Sequence, residues 1–309
     1  MLVILLLCIL SGCKGDAKNG SAAQRTAVAT TTGFSGDAAY SYAKAQVAFG
    51  PRVPGSPAAK QAGDWIIRQM RARADTVIVQ SFTYTTADGK KLPLRNILAR
   101  FRPELSNRVL YLTHWDSRPI SESATTEAEK KMPVPGANDG ASGVGMFVAL
   151  GDVLTKTKPV VGVDLLFTDG EDYGQFGPPE VDVLIGAKYF AAHLPSPGYK
   201  PLYGVLWDMI GDKDLRIPYE MNSFQQVPDV VSRVWQTAAD LGHADIFVQE
   251  SGGQITDDHV PLLNAGLRVI DVIDLTYPPH HTPHDTMDKI SAKSLGIVGD
   301  VATALVTRR

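Results

Sequence analysis

Residues 136–145, GANDGASGVG, hold one carboxylate, Asp139, in a glycine-rich turn just ahead of an apolar run with helical spacing. Such turns bind phosphate when a Lys-Ser or Lys-Thr pair closes them, and they present a nucleophile when the pattern is G-x-S-x-G. This one does neither: no such pair follows, and Val144 stands where an elbow around Ser142 needs its second glycine. The acid is therefore the functional group. Other donors recur along the chain: His114, Asp116, Asp169, the doublet Glu171 and Asp172, Asp208, and the trio His280, His281 and His284. Several carboxylates gathered in one place repel one another unless a cation holds them, and oxygen and imidazole donors without thiolate suit zinc or a similar divalent ion. In the doublet, adjacent side chains of a loop can point in different directions, so one acid can bind the ion while the other takes and returns protons.

For these groups to meet, the elements between them must deliver them to one edge. Ser56-Pro57 reads as an N-cap followed by proline in the first helical turn, and Ala62, Trp65, Ile66 and Met70 follow at helical spacing. Runs of Val, Ile, Leu and aromatics predict strands over 76–84, 96–102 and 109–113, separated by Asp88-Gly89 and by a loop at Pro103. The order then alternates. Helices are predicted over 142–154, 184–193, 228–241 and 292–306, with strands over 160–167, 203–208 and 267–273 between them. This is the pattern of an α/β fold with a mostly parallel, mixed central sheet, helices on both faces, and the early strands adding an antiparallel edge. Ligands of such sheets sit beyond the carboxyl ends of the strands, where each of these acids and imidazoles falls.

The chain of 309 residues is 44% hydrophobic, enough for a sizeable core, and its formal net charge of −3 with 30 thinly spread basic residues argues against a nucleic-acid partner. Both cysteines lie in the opening MLVILLLCILSGC. That apolar run is short for a bilayer span and resembles an export signal whose last four residues look like the lipobox of bacterial lipoproteins. The expectation is a signal segment over 1–13 and Cys13 as a lipidated mature N-terminus, in an exported protein anchored in the periplasm or cell envelope. The small, polar stretch 14–36 reads as a flexible tether, and 37–309 as a single catalytic domain. With no cysteine after residue 13, a metal site must be built from His, Asp and Glu.

Six segments occur in an order and spacing that resemble the M28 metallopeptidase superfamily: THWDSRP (113–119), GANDGASGVG (136–145), FTDGEDYG (167–174), WDMIGD (207–212), DDHVPLLNAG (257–266) and HTPHDT (281–286). Within it, HWDSRP, GEDYG and DDHVPLL are most similar to the bacterial zinc-dependent glutaminyl cyclases. The resemblance implies a zinc-aminopeptidase-like (phosphorylase/hydrolase-like) sandwich. It implies zinc held by Asp139, Asp172 and His281, with Glu171 as general acid/base and Asp208 and Asp257 as acids sharing a hydrogen-bond network with it. The implied reaction converts the N-terminal glutamine of a peptide or protein to pyroglutamate with release of ammonia, using one ion. His114 matches a position that binds a second metal in the aminopeptidase branch, so a two-metal enzyme hydrolysing N-terminal peptide bonds is the alternative. A non-catalytic lipid-anchored binding protein is a third reading, against which the intact Glu171 speaks. Two features depart from the animal cyclases, which carry tryptophans where His280 and the Phe176-Gly177 region stand here. Trp115 and Phe176 are the aromatic candidates to stack on a substrate, although for each singly loop packing is the commoner role.

Overall fold

The computed structural model describes residues 32–308. The expected signal segment, Cys13 and most of the tether lie outside the described residues, and among those described no helix is long and apolar enough to cross a membrane.

A six-stranded sheet organises the molecule in the order β1-β2-β4-β3-β5-β8. Strands β3 (Arg108–His114), β4 (Gly162–Thr168), β5 (Tyr203–Asp208) and β8 (Val269–Ile273) run parallel and are buried on both faces, which is why their sequences are nearly continuous apolar runs. Strands β1 (Thr76–Thr85) and β2 (Lys91–Phe101) form the antiparallel edge, with β2 also antiparallel to β4. Strand β2 begins at Lys91, five residues before the expected start, and contains Pro93. Its first half is paired on one side only, because β4 joins β2 from Ile97 onward, and a proline is tolerated where no ladder bond is required.

On one face α1 (Gly36–Val47), α2 (Pro57–Arg71), α3 (Ala141–Leu154), α6 (Pro228–Asp240) and α8 (Ala292–Thr307) cover the larger core. On the other, α4 (Ile185–Ala192) and α7 (His259–Asn264) place Phe190 and Leu262 against Leu98, Leu110, Leu112, Leu166 and Leu206. The Ser56 cap accepts from the Ala59 N–H at 3.1 Å, as Ser56-Pro57 predicts. The end of the expected tether belongs to the fold: Ser35 caps α1, and Phe34 packs on the core. Helix α1 escapes the sequence pattern because its buried face is made of Ala39, Ala43 and Gln46, which carry little periodic hydrophobic signal. A two-stranded ribbon of β6 (Ile217–Tyr219) and β7 (Phe247–Ser251), with α5 (Met221–Gln226) beside it, also lies outside that pattern.

The glycine-rich turn serves packing as well as chemistry. A Cβ on Gly143 would lie 2.0 Å from Thr113 Oγ1 and 2.7 Å from the Trp207 carbonyl, so α3 can seat itself on β3 and β5 only with glycine there. Gly140, at φ +89°, turns the chain into α3 with its Cα facing the Asp116 carbonyl and the His114 ring.

Candidate active site

Beyond the carboxyl ends of β3, β4, β5 and β8 a cavity of about 530 Å³ opens, and Asp139, Glu171, Asp172, Asp208, Asp257 and His281 all line it. His114, at the end of β3, is buried beneath them. The loop from β4 delivers the doublet, the turn before α3 delivers Asp139, and the segment after β8 delivers His281.

Three donors converge at one point. His281 Nε2 lies 3.3 Å from Asp172 Oδ1 and 3.6 Å from Asp139 Oδ2. Asp139 Oδ2 and Asp172 Oδ2 are buried and accept no hydrogen bond from any described residue. Buried carboxylate oxygens are rarely left so, and two such carboxylates beside one imidazole suit a divalent cation. The set of two carboxylates and one imidazole fits zinc with a further coordination position open. A second set overlaps it: His114 Nε2 stands 2.9 Å from Asp139 Oδ1 and 3.2 Å from Asp208 Oδ1. The His114, Asp139 and Asp208 set, and a further one of Asp139, His280 and His281, each bring their ligand atoms within 4.8 Å of one another, close enough to hold an ion.

The electrostatics follow from burial. Glu171 is held well above the usual carboxylate range, first by desolvation and then by Asp257 and Asp172, with His114 opposing. Asp257 is raised for the same first reason, reinforced by Asp208 and Asp258. Asp139 is lowered, because His114, His281 and His280 together outweigh its desolvation. Desolvation lowers His281, but Asp172, Glu122 and Asp139 overcome it and bring the imidazole to about 10.

The backbone around these groups is fixed by Asp116, which the sequence offers as a donor and which here accepts from amides instead, and by Asp285 and Arg52, to which the sequence assigns no role. Asp116 accepts the amides of both Glu171 and Asp172, at 3.1 and 3.2 Å, and so sets the direction in which the doublet diverges. Asp285 does the same for the glycine-rich turn, accepting from the amides of Asn138 at 2.8 Å and Asp139 at 3.1 Å and from the Tyr277 hydroxyl at 2.6 Å. Arg52, fully buried, donates to the carbonyls of Trp115, Pro135 and Gly136 and ties that turn to the end of β3. Asp285 sits inside the motif HTPHDT, which is the signal that could have found it; Arg52 stands in none.

Other expectations are redistributed. Trp115 is buried and lines a separate cavity beside Arg95, so it does not face the donors; its indole N–H is used on the Arg95 carbonyl at 3.3 Å. Phe176 does line the donor cavity, with its ring 6.4 Å from that of His281. His284 points away to Glu129, and Asp169 accepts the Arg95 amide at 2.9 Å instead of joining the cluster. His280 lies on the cavity wall, its ring 3.7 Å from that of His281.

The sequence pattern described as peptidase family M28 matches residues 96–306. The chain belongs to peptidase family M28. Among relatives, it is 25% identical to the glutaminyl-peptide cyclotransferase of Bos taurus, over 82% of this chain and 77% of that protein. Longer zinc metalloprotease and aminopeptidase relatives are matched over only 35–49% of their length. Among solved structures, glutaminyl cyclase from Porphyromonas gingivalis is 37% identical, with a TM-score of 0.85 over 88% of this chain and 97% of that one. A leucine aminopeptidase precursor from Bacteroides thetaiotaomicron is 34% identical, with a TM-score of 0.86 over 89% and 98%. These M28 likenesses bear out the α/β fold expected from the alternating elements.

Proposed function

We propose that this M28 enzyme is a zinc-dependent glutaminyl-peptide cyclotransferase with one ion on Asp139, Asp172 and His281. The observation that carries the reading is that the Asp139 and Asp172 carboxylates, each with one buried oxygen free of hydrogen bonds from described residues, lie beside His281 Nε2 in a fold matched almost end to end by glutaminyl cyclases of known structure. Zinc there would supply a Lewis acid for the γ-carbonyl oxygen of an N-terminal glutamine.

The chain's own groups do the rest. Glu171, whose burial keeps its proton affinity high, takes a proton from the substrate α-ammonium. The freed amine forms the C–N bond to the side-chain amide carbon, and the bond from that carbon to the amide nitrogen breaks. Glu171 returns that proton to the departing nitrogen, which leaves as ammonia, and as the lactam closes it takes the second proton shed by the ring nitrogen and passes it to solvent. Asp208 and Asp257 line the same cavity as Glu171, and burial first, with Asp257 and Asp172 adding to it, raises the proton affinity of the base. Because nucleophile and electrophile belong to one residue, the reaction needs no activated water and only orientation within the cavity.

The second reading is a two-metal aminopeptidase. It is favoured by the convergence of His114, Asp139 and Asp208, with Asp139 shared between the two donor sets. Metal content per chain, measured beside ammonia release from a Gln-initiated dipeptide and cleavage of a leucine anilide, separates the two. One zinc with ammonia release is expected; two metals with anilide cleavage would replace the cyclase by the hydrolase. Export and attachment through a lipidated Cys13 belong to the same proposal, and a Cys13→Ala chain recovered from the soluble fraction is its expected signature.

A further inference from the structure

Resting on the zinc reading above, we infer that Glu122, braced by Arg118, is a positioning residue that sets the tautomer and aim of His281. Glu122 Oε1 lies 2.7 Å from His281 Nδ1. A carboxylate can only accept, so Nδ1 carries the hydrogen and, with zinc bound, Nε2 would offer its lone pair to the ion beside Asp139 and Asp172. The other oxygen of Glu122 accepts from Arg118 Nε at 2.6 Å, and Arg118 NH1 donates to Asp172 Oδ1 at 2.8 Å. His281, Glu122, Arg118 and Asp172 thus form a closed circuit of side chains, in which two zinc donors are joined through one ion pair. The circuit holds His281 Nε2 3.3 Å from Asp172 Oδ1 and leaves Asp172 Oδ2 without a hydrogen bond from any described residue.

The loop that carries Arg118 and Glu122 also holds the backbone of the histidine: the Ser123 amide donates to the His281 carbonyl at 3.2 Å. That contact matters because His281 has φ +54°, a left-handed conformation that a residue with a Cβ keeps only when its surroundings impose it. Glu122 and Ser123 impose it from one side. Arg118 lies 5.6 Å over the Phe176 ring, which faces His281 from the cavity, so the brace also reaches the wall on which a substrate would rest. Nothing in the local sequence HWDSRPISE marks Glu122 for this role, and it is half-exposed at the cavity rim.

The test is zinc affinity of the full chain, read by competition with a chromophoric chelator, for the parent, Glu122→Ala and Glu122→Gln. Glu122→Ala is expected to weaken zinc about 10–100-fold, the usual loss when the partner of a metal-bound histidine is removed. Glu122→Gln keeps an acceptor for Nδ1–H and is expected to restore most of that affinity. Imidazole ¹⁵N spectra of the zinc-loaded proteins should show the Nδ1–H form of His281 in the parent and the Gln variant, with a broadened or shifted signal in the Ala variant. Equal melting temperatures of the metal-stripped proteins are expected, since Glu122 supports the donor and not the core. Glu122→Ala holding zinc as tightly as the parent, or Glu122→Gln losing as much as Glu122→Ala, would overturn the inference. Zinc affinity is read without turnover, so a parent that binds zinc but releases no ammonia would sink the cyclase reading and leave this one standing.

Discussion

Two buried acids on the same strand and its continuation are treated in opposite ways. Asp164, near the start of β4, is saturated: Arg108 grips it with two bonds of 2.6 and 2.7 Å, Arg100 adds one at 3.0 Å and the Tyr199 hydroxyl another at 2.9 Å. Asp172, just past the end of β4, keeps one oxygen on Arg118 and leaves the other without a hydrogen bond from any described residue. Both are almost completely enclosed. A saturated buried acid is closed to ligands and holds strands together, whereas an incompletely satisfied one is held in readiness for a cation. Burial alone does not mark a functional carboxylate; the count of its partners does.

The sharpest way to break that comparison is at the doublet. Glu171→Gln should retain zinc and lose turnover by about 10²–10⁴-fold, the range ascribed to a positioned general acid/base. Ammonia release and metal analysis on the same sample decide it, and zinc lost from that variant would mean that the two acids of the doublet have exchanged roles.

Next in size is the structural acid. Asp164→Asn leaves the Arg108 guanidinium enclosed without its counter-charge and should cost about 3–5 kcal/mol of stability in denaturant unfolding, with little change in zinc affinity. Asp139→Asn should do the reverse. In metal-free protein it should cost less than Asp164→Asn, yet the stabilisation of about 2.7 kcal/mol that zinc at 100 times its Kd gives the parent should vanish. If the two variants behave alike, the distinction between saturated and open acids fails.

The smallest effect belongs to the cavity wall. Phe176→Ala should raise KM for a Gln-initiated peptide several-fold, about 1 kcal/mol, with kcat nearly unchanged, because the ring offers apolar contact without touching the reacting atoms. A fall in kcat of the same size would instead give Phe176 a part in aligning His281.

Much of this was legible before any coordinates. Alternating apolar runs disclosed the parallel sheet, since strands buried on both faces have no choice but to be apolar, and the strand-end rule brought Asp139, Glu171, Asp172, Asp208 and His281 to one edge. What escaped was held by long-range contacts that leave no local trace. Helix α1 is built on alanines, Arg52 reaches three carbonyls across the fold, and Glu122 meets His281 from far along the chain. Trp115 is the converse case: its place in a motif made it a candidate for contact with substrate, and the side chain takes the commoner role of packing, beside Arg95.

The three donors Asp139, Asp172 and His281 come from segments widely separated along the chain, joined at a single point past the sheet. An ion seated there would act as a removable cross-link, shortening the loops that the unfolded chain must close, much as a disulfide does in a protein that has cysteines to spare. A chain with no cysteine after residue 13 has no such covalent staple in its folded part. The ion that serves the chemistry would then also fasten the rim of the molecule. Its loss should first be felt as faster proteolysis around His281, before the sheet itself gives way.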